Sequence, residues 1–165
     1  MNTWGIKVYG NPCRECGFDW AAPLEAAAAL IADVPKRYSG LLEGQDGTTR
    51  HPELAWSVGA YVCHVADNLR IWAERMWSSV EAKHVHIEAY DQDAVASSRG
   101  YEHIPVKTAL WSLSHSAKMW REALASVFDR KPTFNHPERG LLTLPDIVQS
   151  VAHDAPHHEW DIGRS

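Results

Sequence analysis

Apolar residues recur at helical spacing along most of the chain. The clearest stripe has members mostly three or four residues apart: Leu54, Val58, Tyr61, Val62, Val65, Leu69, Trp72 and Met76. That period is the one of an amphipathic helix, so a helix is predicted from about Pro52 or Ser57 to Val80. A similar stripe predicts another helix over Val106–Phe128.

Two further helices are predicted on either side of this pair. Pro23 opens an alanine-rich segment, Leu24–Leu42, and alanine is the strongest helix former. Pro35 lies inside this segment and is expected to kink or split the helix, because proline removes one hydrogen bond of the ladder. The last helix is predicted over Leu144–Ile162, with Thr143 as its N-cap.

The stretches between these helices show no strand alternation. Residues 81–103 are expected to form a long connection with a short helical turn near Asp91–Ser97, and Lys131–Gly140 is expected to form a loop. Four helical segments in a chain of this length predict an all-α four-helix bundle. Residues 1–20 are assigned to an irregular N-terminal arm that carries a Cys-x-x-Cys pair, and residues 21–165 to a single domain.

Composition narrows the functional classes. The net charge is −5 and no cluster of Lys or Arg stands out, which argues against nucleic-acid binding. No run of about 18 apolar residues is present and the N-terminus lacks the features of a secretory signal, so a cytoplasmic protein without membrane association is expected. Three cysteines make no disulfide framework, whereas ten histidines direct attention to possible metal ligands.

The last predicted helix carries a pair of candidate ligands. His153 and His157 are four residues apart, which places both imidazoles on one side of the helix, where they could converge on one ion. Both lie nearly opposite the apolar stripe of this helix, so a solvated polar face is an equally weighted alternative. Pro156 should bend the helix between them and shift that phase. His158 points about 100° away from His157.

A third histidine, His64, lies on the flank of the apolar stripe of the second helix. A single histidine in that position is more often a hydrogen-bonded core residue than a ligand. From the residues alone, three histidines on two helices are therefore a weak indication of a metal site.

Two segments of the chain resemble motifs of the DinB/YfiT-like family. Trp56–Asp67 resembles the second-helix motif, a tryptophan followed by a helix with one metal-binding histidine. His153–Ile162 resembles the last-helix motif, which has a histidine pair four residues apart. The resemblance covers about Leu24 to Arg164.

This resemblance implies a bundle with up-down-down-up connectivity, a long crossover between the second and third helices, and a homodimer. It also implies that His64, His153 and His157 hold a divalent ion, zinc or nickel. Pro156 departs from the commoner pattern of the family, which bears on the geometry at His157.

Three neutral imidazoles leave at least one coordination position open, as in catalytic rather than structural sites. Such an ion can activate water or a thiol, and the family resembled includes hydrolases and transferases that use low-molecular-weight thiols. The chain is therefore predicted to be a metal-dependent transferase or hydrolase acting on a small molecule. The alternative is a metal-containing protein that binds or sequesters a small molecule without turnover, and a third interpretation makes the histidines incidental.

Other side chains near these histidines complete the predicted site. Those expected to line the pocket are Tyr61, Asn68 and Trp160. Those that could orient the ligand rings are Asp67, Asp154 and Asp161, although ordinary surface carboxylates are favoured for at least two of them. The sequence identifies no catalytic residue beyond the ligands of the ion.

Cys13 and Cys16 form the Cys-x-x-Cys pair of the N-terminal arm. One interpretation is half of a second zinc site, which His136 or His103 could complete, or the close pair His84 and His86. Because a structural zinc ion needs four protein ligands and no second Cys-x-x-Cys pair exists, two reduced thiols are the favoured alternative.

Overall fold

The computed structural model describes residues 5–165, so the first four residues of the predicted N-terminal arm lie outside the described part. The helices in chain order are α1 (Ile6–Tyr9), α2 (Leu24–Leu41), α3 (Val58–Ser78), α4 (Gln92–Arg99), α5 (Val106–Val127) and α6 (Leu144–Ile162). The four long helices α2, α3, α5 and α6 form a bundle in which α2 and α3 each pack against both α5 and α6. The four helices predicted from the sequence are confirmed, with ends that shift by a few residues at most.

Local signals explain where the long helices begin. The Ser57 side chain accepts a hydrogen bond from the backbone N–H of Ala60 and caps α3. Thr143 and Asp146 form a reciprocal capping box at the start of α6, as the N-cap prediction requires. The predicted split at Pro35 does not occur, since α2 continues through it with Val34 and Tyr38 buried on either side.

The long connection after α3 is partly ordered by α4 and by a 3-10 turn at Tyr101–His103. Asp91 caps α4 by accepting hydrogen bonds from the backbone N–H groups of Asp93 and Ala94, which confirms the short helical turn predicted near this position. Gly100 ends α4 in the left-handed conformation with φ of 64°, a position that favours glycine.

A small sheet corrects the strictly all-α expectation. Its strands are β1 (His84–His86), β2 (Thr133–His136) and β3 (Gly140–Thr143); β1 is parallel to β2, and β2 is antiparallel to β3. The predicted loop Lys131–Gly140 is therefore mostly a strand and a hairpin turn. Strands of three or four residues are too short to show an alternation in the sequence, and their pairing is driven by the burial of Phe134 and Leu142.

The core lies between the four long helices. Its largest fully buried side chains include Trp120, Tyr38, Phe134, Ile31, Leu69, Met76 and Leu113. The Tyr38 hydroxyl donates a 2.7 Å hydrogen bond to the carbonyl of Ala155, which links α2 to α6 beside Pro156. Within residues 5–165, no helix is both long and apolar enough to cross a membrane.

Candidate metal centre

A cavity of about 440 Å³ lies where α3, α6 and the N-terminal arm meet. Its polar walls come from α3, α6, the arm and the loops at either end of the small sheet. The lining side chains include Tyr9, Trp20, His64, Asn68, Trp72, Arg75, Tyr90, Arg139, His153, Asp154, His157 and His158. Five of these were predicted as ligands or neighbours of the metal site, namely His64, Asn68, His153, Asp154 and His157.

The ligand atoms around this cavity fall into two groups among the described residues. The first, here called the cysteine–histidine cluster, consists of Cys13, Cys16, His153 and His157. The second, here called the carboxylate–histidine cluster, consists of His64, Asp154 and His158. In each cluster all ligand atoms lie within 4.8 Å of one another. The predicted set of His64, His153 and His157 lines one cavity, but its members are divided between the two clusters.

Helix geometry explains this division. His153 and His157 are an i, i+4 pair, and so are Asp154 and His158, one residue further along α6. The two pairs point in directions about 100° apart, and packing turns the second pair toward His64 on α3. The Asp-x-x-x-His spacing was visible in the sequence, but nothing in the sequence selected it over the histidine pair.

The carboxylate–histidine cluster is compact. The Oδ1 atom of Asp154 lies 3.9 Å from Nε2 of His64 and 3.6 Å from Nε2 of His158. The two imidazole rings are 4.9 Å apart between centroids. Aromatic rings hold them in place, with Trp56 at 5.2 Å from His64 and Tyr61 at 5.1 Å from His158. Both nitrogens therefore face one carboxylate oxygen beside the cavity.

A second layer of contacts orients the carboxylate–histidine cluster. His158 Nδ1 lies 3.0 Å from Oδ2 of Asp161, and Arg164 donates to the other oxygen of Asp161 at 3.1 Å. Asn68 donates a 2.8 Å hydrogen bond to Oδ2 of Asp154. A carboxylate on the far nitrogen of a ligand imidazole is the usual way in which proteins fix a metal-binding ring.

Electrostatics couple the groups of the carboxylate–histidine cluster. Burial disfavours the charged form of His158, but Asp154 and Asp161 outweigh burial and raise the pKa of His158 to about 9. Burial likewise opposes ionisation of Asp154, yet His158 and His64 hold the pKa of that carboxyl well below its usual range. Without an ion, the positive charge of protonated His158 compensates the negative charge of Asp154 and Asp161. A divalent cation bound in the cluster would take over that role.

The cysteine–histidine cluster has a different character. The His153 ring is packed between aromatic side chains, and burial, helped by the nearby His157, lowers the pKa of His153 to about 4. Burial is also the main cause of the lowered pKa of His157. Both rings are therefore neutral near pH 7, which is the form that binds a metal.

Three other side chains predicted near the site, Tyr61, Trp160 and Asp67, take different positions. Tyr61 packs against a ligand ring and Trp160 lies 6.1 Å from the His157 ring, but neither is among the described lining residues of the cavity. Asp67 does not orient a ligand, because Arg70, Arg99 and Tyr101 engage its carboxylate. It ties α3 to the end of α4 instead.

The proposed partners of the cysteine pair are corrected by the structure. His84 and His86 lie on β1, where they contact the side chains of Thr133 and Asn135 across the sheet. In the part of the chain that the structure describes, the ligand atoms close to Cys13 and Cys16 belong to α6. The spacing along the sequence does not show this, because the family resemblance assigns His153 and His157 to another ion.

Sequence and structure comparisons place this geometry in context. The family model of the DinB superfamily matches residues 18–162. Among solved structures, YfiT from Bacillus subtilis is similar with a TM-score of 0.76 and 20% sequence identity, covering 86% of this chain and 84% of that chain. That protein is described as a probable metal-dependent hydrolase with an unusual four-helix bundle topology. No curated protein sequence is significantly similar to this chain.

Proposed function

Because the chain belongs to the DinB superfamily, we propose that it is a divalent-metal-dependent enzyme whose ion is bound by the carboxylate–histidine cluster. The observation that carries the proposal is the convergence of two imidazoles and one carboxylate, from two different helices, on the wall of a cavity of about 440 Å³. Two histidines with one carboxylate form a ligand set that suits zinc and other divalent transition metals.

The surroundings of the cluster fit an ion. The second nitrogen of His158 is already held by Asp161, and Asn68 holds the second oxygen of Asp154, so both ligands are oriented in advance. Three protein ligands leave at least one coordination position free on the cavity side. When bound there, the ion would supply Lewis acidity to water or to a thiol.

The three-histidine site is the competing assignment for the same ion. We prefer Asp154 and His158 as the partners of His64, because their ligand atoms lie with it in one cluster. His153 and His157 lie instead with the two cysteines. The two assignments share His64 and differ in which i, i+4 pair of α6 they use, so variants of His157 and His158 separate them.

Two arginines in the cavity lining favour an anionic substrate. Arg75 and Arg139 both line the cavity, and so does Tyr90. The Arg75 guanidinium lies 4.5 Å from the centroid of the Trp72 ring and 5.6 Å from that of Tyr90, which holds it in place. Burial lowers the pKa of both arginines, but arginine remains charged near neutral pH and attracts a carboxylate or phosphate group.

Hydrolysis is the first reaction class to test, since the similar fold of YfiT carries that description. Untagged protein should be assayed with esters and amides that carry a carboxylate, before and after chelation and after addition of zinc or nickel. We expect activity that disappears on chelation, returns with the ion, and is lost in His64→Ala.

The matched control is His115→Ala, which removes an exposed histidine of α5 that stacks on Trp111. It should keep full activity. Turnover by the chelated protein at the original rate would overturn the proposal. Tight binding of the same compounds without turnover would support the alternative of a binding protein.

A further inference from the structure

The N-terminal arm, residues 5–20, has a defined structure against α6. The backbone N–H of Cys13 donates to the Phe18 carbonyl at 2.8 Å, and the N–H of Gly17 donates to the Cys13 carbonyl at 2.9 Å. Gly17 has φ of +73°, a value that lets the chain reverse directly after Cys16. The resulting loop buries Cys13 to 2% exposure and turns both sulfurs toward the bundle.

The face of α6 that the arm covers contains a buried imidazole nitrogen that has no hydrogen-bond partner in the described part of the chain. The His153 ring lies 4.5 Å from both the Tyr9 and the Trp20 rings, so aromatic side chains of the arm cover it. Its Nε2 atom is buried and has no hydrogen-bond partner within residues 5–165. Buried polar atoms are nearly always satisfied, and an unsatisfied imidazole nitrogen therefore indicates a missing ligand.

The distances bring the cysteines to this position. The Sγ atom of Cys13 lies 3.9 Å from Nδ1 of His157, and the four ligand atoms of the cysteine–histidine cluster are all within 4.8 Å of one another. Bonds of about 2.0–2.3 Å to a tetrahedral zinc ion place ligand atoms roughly 3.3–3.8 Å apart. The 4.8 Å limit of the cluster exceeds the upper end of that range by about 1 Å, so the side chains would have to close in as zinc binds.

We infer that the cysteine–histidine cluster binds a second divalent ion, zinc, in a closed structural site that holds the N-terminal arm against α6. Two sulfurs and two imidazole nitrogens form one of the common tetrahedral zinc sites, and they leave no position for a substrate. This ion is separate from the one proposed for the carboxylate–histidine cluster, and its binding does not depend on catalysis.

The chemistry of the cysteines fits this site. Both are free cysteines, and burial raises the pKa of Cys16 to about 11, so zinc must release the proton of the Cys16 thiol into solvent as it binds. The backbone N–H of Phe18 faces the Cys16 sulfur and favours its thiolate form. Glu15 lies 3.4 Å from the second nitrogen of His157, where a carboxylate can orient a ligand ring.

The second ion would also position side chains that line the cavity of about 440 Å³. Tyr9 and Trp20 belong to the arm, cover His153, and also line the cavity. A zinc ion that anchors the arm would therefore fix one wall of the cavity. The carboxylate–histidine cluster would stay accessible from the cavity.

Cobalt substitution tests the inference on the intact protein. Cobalt bound by sulfur gives a thiolate-to-metal charge-transfer band in the near ultraviolet, whereas cobalt bound only by imidazole and carboxylate does not. Untagged protein that is depleted of metal and titrated with cobalt should bind two ions per chain and develop this band. Its absence at full occupancy, or a Cys13–Cys16 disulfide in protein purified without oxidant, would overturn the inference.

Variants assign the band to its ligands and separate this inference from the proposed function. The double change Cys13→Ser and Cys16→Ser should lose one ion per chain and the charge-transfer band, while Cys63→Ala, which removes a buried cysteine outside both clusters, should keep both. His64→Ala should lose the other ion and keep the band. A band that survives the double change would contradict the site, even if the enzyme proposal holds.

Discussion

The two clusters share one helical spacing on α6 but face different surroundings. His153 and His157 face an arm that adds two thiols and covers them with aromatic rings, whereas Asp154 and His158 face α3 and an open cavity. In the proposed sites, the cysteine–histidine cluster, hereafter the closed cluster, would offer four ligands and no free position, and the carboxylate–histidine cluster, hereafter the open cluster, would offer three. An i, i+4 pair of metal-ligand residues therefore says little about function until the surface that it faces is known.

The electrostatic surroundings of His153 and His158 also differ. Burial, helped by the nearby His157, lowers the pKa of His153 to about 4, while Asp154 and Asp161 outweigh burial and raise the pKa of His158 to about 9. The imidazoles of the closed cluster are already in the neutral, metal-binding form near pH 7. The open cluster must exchange a proton for its ion.

The largest expected effect comes from removing a ligand of the open cluster. His158→Ala should lower the metal-dependent rate by more than about 100-fold, since loss of a residue that only supports a ligand already costs 10- to 100-fold. His157→Ala should reduce the rate far less, because it affects the wall of the cavity. The measurement is kcat/KM with each variant loaded at saturating metal.

The opposite ranking of these two variants would favour the three-histidine site over the carboxylate–histidine cluster. Circular dichroism of both variants serves as the control for folding, since neither histidine is part of the apolar core.

The next effect concerns stability and the closed cluster. Zinc at 100 times its dissociation constant stabilises the folded state by about 2.7 kcal/mol. In a chain of this size that corresponds to an increase in Tm of roughly 5–10 °C. His64→Ala, which lacks a ligand of the other proposed ion, should show this increase, and adding Cys13→Ser and Cys16→Ser to it should remove most of the increase. Equal increases in both variants, recorded by differential scanning calorimetry, would assign the stabilisation to a site outside the cysteine–histidine cluster.

A smaller effect should follow from the residue that orients His158. Asp161→Asn keeps the size of the side chain but weakens its hold on the Nδ1 proton, and the metal affinity of the open cluster should fall about 10- to 100-fold. Asp129→Asn, at an exposed position after α5, is the matched control. Competition titrations with a chromophoric chelator measure both, and unchanged affinity in Asp161→Asn would show that Asp161 does not support the ligand.

The smallest step, about tenfold for each pH unit, is expected in the dependence of metal affinity on pH. The pKa of His158 is raised to about 9, so its proton stabilises the metal-free fold below the unfolded value near 6.5, and that contribution is lost as pH rises through 9. In the double cysteine variant, which isolates the open cluster, zinc affinity should therefore rise about tenfold per pH unit between pH 6.5 and 8.5. A flat profile would mean that His158 carries no proton to displace.

The boundaries of the elements show which parts of the fold were accessible from the sequence. Val106–Val127 and Leu144–Ile162 agree with the predicted helices because each has a long apolar stripe, and Thr143 gives the second of them a clear start signal. The strands at His84–His86 and Thr133–His136 were not predicted, since they are held by pairing between segments about 50 residues apart. The up-down-down-up connectivity and the homodimer stay predictions.

The sequence by itself determined the helices of the bundle, the family resemblance, and the residue types that meet at the cavity, because helical periodicity and motif spacing are local properties of the chain. It also placed His64, His153 and His157 among the candidate ligands. Only the tertiary structure decided which pair on α6 faces α3 and which faces Cys13 and Cys16. The rotation of a helix about its own axis depends on every surface packed around it, and that information is not contained in the spacing of its residues.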